Sequence, residues 1–248
     1  MAFQTITKVK RETRRLGISG PAGWGKSSVI PLMSKNPIVY DLENKAPDNW
    51  TNVQTAVLRF KTFNYILESL KALRDEAKVE YDWVWIDSLS ELEKICEFYA
   101  IANDYNNDKK KYSSYSAGQS HELVFYIKSI LDVLEEIENK HKINVGIICH
   151  TGVKPEGNPD GSDYQVTRVD VSKWMRAVYE KWLDYHGIIY SILKVTDGKV
   201  EASNRVISFD HTKATLRAKS ISFIPGELDF DEKGEWIKKA FKQSQEKK

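Results

Sequence analysis

The chain has 248 residues, of which 41% are hydrophobic and 29% charged, with a net charge of +2. That balance excludes a disordered tail and a bulk polycation. No apolar run approaches the ~20 residues that cross a bilayer, so no membrane is expected.

At roughly 150 residues per domain, the length suits one large domain or one with an appendage. The basic stretch Met1 to Arg15 lacks an apolar signal core, so secretion is not expected. Cys96 and Cys149 lie in apolar surroundings and are expected as buried free thiols in a reducing compartment. The Cys149-His150 pair is too isolated for zinc, which takes four grouped ligands.

In chain order, Leu16 to Ser19 reads as a short buried strand, followed by a glycine-rich turn and a helix from about Lys26 to Met33. Pro37 to Tyr40 is a second strand, ending in Asp41-Leu42-Glu43, and Thr55 to Leu58 a further short one. Thr62 to Lys78 has helical spacing, with Phe63, Ile66, Leu67, Leu70 and Leu73 on one face. Tyr81 to Ile86 is an aromatic and β-branched strand that stops at Asp87. Ser90 is the expected cap of the next helix, which carries Leu92, Ile95, Cys96 and Tyr99. Asn103 to Ser120 is polar, with a lysine run and tyrosines at 105, 112 and 115, and reads as a long surface loop with frayed helix.

His121 to Lys140 is a long helix, and Ile143 to Cys149 the most apolar strand, ending at His150. Thr151 to Asp163 is full of Gly, Pro and Asp and is expected to be a flexible loop. A short helix around Val171 to Tyr179 precedes strands at Tyr185 to Val195, Lys199 to Phe209 and Ser220 to Ile224. Asp197-Gly198 is a hairpin signal, and an amphipathic helix closes the chain from about Gly234 to Lys242. The alternation of strand and helix up to residue 150 predicts an α/β fold with a mainly parallel central sheet flanked by helices. The later strands are expected to extend it as an antiparallel edge, within a single domain over 1–248.

Gly20-Pro21-Ala22-Gly23-Trp24-Gly25-Lys26-Ser27 fits the G-x-x-x-x-G-K-[ST] pattern in full, between a strand and a helix. Glycines let backbone N–H groups turn inward around a phosphate, and the helix N-terminus adds its positive end. Together with Ser28 these residues form the expected nucleotide cradle for ATP. Lys26 is expected to reach the β- and γ-phosphates, and the Ser27 hydroxyl to ligate Mg2+. Trp24 has no firm role from sequence.

A second carboxylate at a neighbouring strand tip is needed for magnesium. Asp87 is the candidate, its alternative being a helix cap. The next residue is Ser88, where many ATPases place a water-activating glutamate, so the base must come from elsewhere. Asp41 and Glu43 end the second strand and at period two point the same way. Glu43 is thereby assigned as the base, with Glu91 as a weaker candidate placed for the helix dipole. His150, at the tip of the next strand, either senses the γ-phosphate or simply meets solvent.

The motifs Gly20 to Ser27, Val39-Tyr40-Asp41-Leu42-Glu43, Val84-Trp85-Ile86-Asp87-Ser88 and Ile147-Ile148-Cys149-His150 resemble the RecA-like P-loop ATPase core. With Arg217-Ala218-Lys219-Ser220 and Ile224-Pro225-Gly226, the order looks most like the compact phage nucleotide-binding proteins of the recombinase and single-strand-annealing group. The resemblance spans about residues 14 to 226. It implies a Mg-dependent ATPase of DNA recombination or annealing, working with a single-strand-binding protein in the cytoplasm of a phage-infected or prophage-carrying bacterium. It implies Glu43 as the catalytic carboxylate and His150 near the γ-phosphate sensor position. It further implies that Lys219, with Arg217, reaches a neighbouring subunit's nucleotide in a homo-oligomer, like an arginine finger. No N-terminal oligomerisation segment and no helix-hairpin-helix domain is evident, which leaves strand exchange without support.

In a RecA-like core the loops after the third and fourth strand units face DNA. Here they offer Lys109, Lys110, Lys111, Tyr112 and Tyr115, then Lys154, Tyr164 and Arg168. Lysines neutralise phosphates and tyrosines stack on unpaired bases, which suits single-stranded DNA. Asp160, Asp163 and Glu156 weaken the second loop. The run from Lys8 to Arg15 reads as a solvated approach to the first strand.

Two other functions share the same P-loop. One is a small-molecule kinase, against which stands the lack of an arginine-rich lid. The other is a nucleotide-gated scaffold with slow hydrolysis. A GTPase does not fit, because Asp87-Ser88-Leu89-Ser90 lacks the switch glycine and Asn44-Lys45-Ala46-Pro47-Asp48 is spaced wrongly for guanine.

Overall fold

The computed structural model describes residues 13–45, 56–58, 62–158, 161–196, 199–213, 215–222, 224, 226–231 and 233–241. Asp197-Gly198, Pro225, most of the Lys8 to Arg15 run and Asn44-Lys45-Ala46-Pro47-Asp48 beyond Lys45 lie outside them. The parallel centre contains β1 (Arg15–Gly20), β2 (Pro37–Asp41), β3 (Ala56–Leu58), β4 (Trp83–Asp87) and β5 (Asn144–Glu156). Beyond them come β6 (Tyr164–Val169), β7 (Tyr185–Thr196), β8 (Lys199–Ser208), β9 (Lys219–Ser220) and β10 (Glu227–Asp229). The order across the sheet is β10-β8-β7-β1-β5-β4-β2-β3, with β6 paired to β5 and β9 to β7. The fold is the expected α/β one.

The sheet is buried on both faces, as parallel sheets are, and its strands therefore read as apolar runs. Every residue of β2 and β4 is buried. Alternate side chains split between two cores. Ile38, Tyr40, Val84, Ile86, Val145 and Ile147 face one cluster, with α2 (Phe63–Asp75), α3 (Leu89–Asp104), α5 (Val124–His141) and α6 (Lys173–Trp182) around it. Val39, Trp83, Trp85 and Ile148 face the other, under α1 (Val29–Met33) and α7 (Glu235–Phe241). On that second face Trp83 and Trp85 stack with centroids 5.0 Å apart. A Cβ at Gly146 would sit 2.2 Å from the Trp85 ring, so only glycine lets β5 pass beneath it. No described helix is long and apolar enough to cross a membrane. Both cysteines are buried and free. Burial pushes both thiols up, that of Cys149 to about 12.

Several elements depart from expectation. The first helix has five residues, and Lys26 to Ser28 form a turn in which Val29 N–H reaches the Lys26 carbonyl at 3.1 Å. Ser90 does not cap α3. The helix begins at Leu89, and the Ser90 hydroxyl instead donates to the Asp170 carbonyl at 3.3 Å. The expected loop from Asn103 to Ser120 is largely helical, through α4 (Lys109–Ser113), a 3-10 turn at Ser114–Ser116 and a π-helix at Gln119–Leu123. Asp108 caps α4 by accepting from the Lys110 and Lys111 amides. Tyr112 is buried here, its ring filling the space that Gly118 leaves.

The expected flexible loop after His150 is an extension of β5. Thr151 to Glu156 pair antiparallel with β6, from Thr151 opposite Val169 to Glu156 opposite Tyr164. Ladder hydrogen bonds override the turn-like composition, and Arg168 pairs with Glu156 across the strands at 3.0 Å. Nor are all late strands antiparallel. β7 runs parallel to β1, with Leu16 opposite Tyr185, and β8 and β10 supply the antiparallel edge.

A buried polar contact secures β7 to β1. Ser19 Oγ lies 2.6 Å from His186 Nε2, and both residues are essentially inaccessible. Burial holds the imidazole down to about 4, against its ordinary value of 6.5. The unfolded chain therefore takes up a proton that the folded chain refuses, and this contribution is lost as pH falls from 6.5 towards 4. The gap in thermal midpoint between wild type and His186→Gln is expected to narrow over that interval. A constant gap would show that His186 is not held neutral.

Candidate active site

Register sets the site. Gly20 stands opposite His150, Asp87 opposite Ile148 and Asp41 opposite Asp87, so the carboxyl ends of β1, β4 and β2 finish nearly level, beside the point where β5 passes His150. Open α/β sheets bind ligands at such ends. A cavity of about 240 Å³ opens there, lined by Ala22, Gly23, Gly25, Lys26, Ser27, Ser28, Glu43, Lys45, Asp87 and His150.

The loop after β1 turns on Gly23 (φ +76°) and Gly25 (φ +79°), a left-handed backbone that other residues adopt only under strain. Lys26 is 6% exposed and donates from Nζ to the Pro21 carbonyl at 2.8 Å. Burial holds its ammonium below the ordinary value, against the attraction of Asp87 and Glu43. Ser27 Oγ donates to Asp87 Oδ2 at 2.6 Å. Burial pushes the Asp87 carboxyl up to about 6; the Ser27 hydroxyl pulls it down, while Glu43 and Asp41 push it further up.

Glu43 arrives by a different route from the one its spacing suggests. β2 ends at Asp41, whose carboxylate accepts the Lys45 amide at 3.0 Å. Leu42 N–H donates to the Asp87 carbonyl at 2.7 Å, and Glu43 follows in this turn. Its Oε1 accepts from His150 Nε2 at 2.9 Å and from the Ser88 hydroxyl, and its Oε2 pairs with Lys45 Nζ at 3.0 Å. Burial pushes the carboxyl up, but the bonds from Ser88, His150 and Lys45 outweigh it and bring it to about 2.

The donor set fits a phosphate chain and a small hard cation. Two left-handed glycines and a buried ammonium face one cavity, and Ser27 and Asp87 offer oxygen ligands only. Among the described residues no group of three or more His, Cys, Asp or Glu side chains is placed to hold a metal. Magnesium is usually held by one or two carboxylates plus substrate phosphates, so the two ligands suffice if nucleotide supplies the rest.

Other predicted residues lie elsewhere. Lys219 is not at the phosphates; its Nζ donates to the carbonyls of Glu180, Lys181 and Leu183 at the C-terminus of α6, where helix carbonyls lack partners and attract cations. Arg217 pairs with Glu156 at 3.3 Å. Lys154 faces Asp170 at 3.4 Å. Lys109, Lys110 and Lys111 are exposed on α4 and Tyr115 is fully exposed, whereas Tyr112 is in the core and unavailable for stacking. Glu91 pairs with Lys94. Trp24 is half-buried and packs on the second core.

Sequence reasoning missed Ser88 and Lys45 as partners of Glu43, although both sit beside motif residues. It also missed Arg205, whose Nη1 donates to the Trp24 carbonyl at 3.3 Å from 181 positions away.

Comparison with known proteins agrees with this frame. A family model described as an AAA domain matches residues 12–220. No curated protein matches the sequence. Among solved structures, the crystal structure of the RadB recombinase is similar in fold, with a TM-score of 0.52 at 13% identity over 89% of each chain.

A carboxyl ligates a cation only when ionised, so if Asp87 holds magnesium, nucleotide binding that needs the metal is expected to weaken as pH falls through about 6. Asp87→Asn is then expected to abolish that pH dependence together with any magnesium requirement. Magnesium titrations across this range check both, and a pH-independent wild type would separate Asp87 from the metal.

Proposed function

The chain belongs to the AAA-domain family, and on that premise we propose that it is a magnesium-dependent ATPase of phage-type DNA recombination or single-strand annealing. The observation that carries this reading is the single cavity shared by Lys26, the Ser27–Asp87 pair and the Glu43–His150 pair. In it Lys26 and the loop amides hold the phosphates of ATP. Ser27 and Asp87 would hold magnesium, whose charge would offset that of the phosphates. Glu43 accepts the proton of an attacking water at a carboxylate oxygen, as the new oxygen–phosphorus bond forms and the bond to ADP breaks. His150 steers Glu43 through its 2.9 Å contact.

Steady-state ATP hydrolysis with and without single-stranded DNA tests the reading, with Lys26→Ala as the blank. Loss of the lysine is expected to reduce turnover about 100-fold or more, the scale of removing one preorganised charge donor. Hydrolysis insensitive to DNA would instead favour a kinase or scaffold.

A nucleotide-gated scaffold with slow turnover draws support from the state of Glu43. A carboxyl brought to about 2 by three donors is a weak base until one lets go. Ser88→Ala removes one donor. It is expected to raise hydrolysis without DNA several-fold and to move the acid limb of kcat to higher pH. An unchanged profile would free Glu43 from Ser88 control.

The exposed Lys109, Lys110 and Lys111 beside Tyr115 support contact with single-stranded DNA. Their joint replacement by alanine is expected to weaken binding and flatten its salt dependence, since each phosphate contact releases counterions. Unchanged salt titrations would remove α4 from the interface. A homo-oligomer and a single-strand-binding partner belong to the same reading. Any role of Lys219 in trans requires its release from α6.

A further inference from the structure

We infer that Arg205 on β8 is a positioning residue for the phosphate loop, aiming the Gly25 amide into the nucleotide cavity. The inference rests on the phosphate-site reading above and adds a part that neither the motif nor its neighbours supply.

In a trans peptide the carbonyl and the following N–H point in opposite directions. A loop that turns its amides inward therefore turns carbonyls outward, where each needs a partner. The Trp24 carbonyl finds one in Arg205 Nη1 at 3.3 Å. With that carbonyl held outward, the Gly25 N–H of the same peptide is directed inward, and Gly25 lines the cavity. Gly25 has φ +79° and no side chain, so nothing of its own fixes that plane.

Arg205 is itself held. Its backbone carbonyl accepts the Phe230 N–H at 2.8 Å. A Cβ on Gly25 would lie 3.7 Å from the Phe230 ring and 3.8 Å from Arg205 Nη1, so both press on the outer side of the loop. Phe230 leans on the buried Trp236, with centroids 5.8 Å apart. Gly234 seats this segment against Leu32 of α1, where an added Cβ would be 3.4 Å away. Phe230, Gly234 and Trp236 lie beyond the family-matched stretch, which ends at 220, yet they brace the loop that the family motif defines. Coupling of this kind is reciprocal: if the brace favours nucleotide, nucleotide favours the brace.

The test is binding of a fluorescent ATP analogue with magnesium to wild type, Lys26→Ala, Arg205→Ala, Arg205→Lys and Phe230→Ala. Thermal midpoints are recorded alongside, and hydrogen exchange of the wild type is followed with and without ATP. Arg205→Ala is expected to raise Kd about five- to tenfold, the scale of one typical net hydrogen bond. Arg205→Lys, which keeps a donor, is expected to recover most of that loss. ATP is expected to increase exchange protection at Gly25 and across 230–241. Wild-type affinity in Arg205→Ala, no recovery in Arg205→Lys, or unchanged protection of 230–241 each overturns the inference. If the Arg205 variants fail to fold, the wild-type exchange measurement still decides it. Failure of the underlying site looks different: the wild type and Lys26→Ala would then be equally unable to bind.

Discussion

The Ser27 hydroxyl meets the Asp87 carboxylate across the whole width of β5, and the rest of the site depends on that reach. It is possible because three parallel ladders bring the tips of β1, β4 and β2 level with His150 in the middle of β5. A slip of one residue in any ladder would turn that strand's tip away and exchange its two buried faces. The cores guard against such a slip. Trp83 and Trp85 fill one face of β4, Val84 and Ile86 the other, and Gly146 accommodates only the pairing in which Trp85 lies over it.

Within this frame two neighbouring carboxylates are driven in opposite directions. Asp87 has one hydroxyl donor, two nearby carboxylates and little water, and its proton affinity rises. Glu43 has three donors and keeps its charge far into acid. Pairs whose environments push them apart are how one pocket carries two roles. Here the dehydrated carboxylate is the one that gains most from a cation, and the well-bonded one is the one whose basicity its partners regulate.

The central sheet and the phosphate loop were legible in the sequence for physical reasons. A strand buried on both faces must be apolar throughout, and a phosphate cradle must be built from consecutive residues. What escaped was decided by contacts distant along the chain. The segment after His150 looks like a loop by composition, but β6 supplies a ladder that Gly and Pro only weaken. Tyr112 sits among lysines and asparagines, yet Gly118 opens a slot for its ring. Lys219 stands in a motif-like run, but within its own chain its ammonium is taken up by carbonyls at the end of α6. Glu43 lines the cavity, but the turn that delivers it comes from the Asp87 carbonyl and not from strand alternation. Arg205 carries no local signal at all.

The continuity of β5 has a mechanical side. Its first half is clamped between β1 and β4, its second half pairs, among the described residues, with β6, and His150 stands at the junction. Six residues at about 3.3 Å each put Glu156 roughly 20 Å beyond that pivot. A rotation of about 5° at His150 thus sweeps the far end through about 2 Å, by the same strand geometry. The strand that presents a side chain to Glu43 is also a pointer whose long arm magnifies small angular changes at its base.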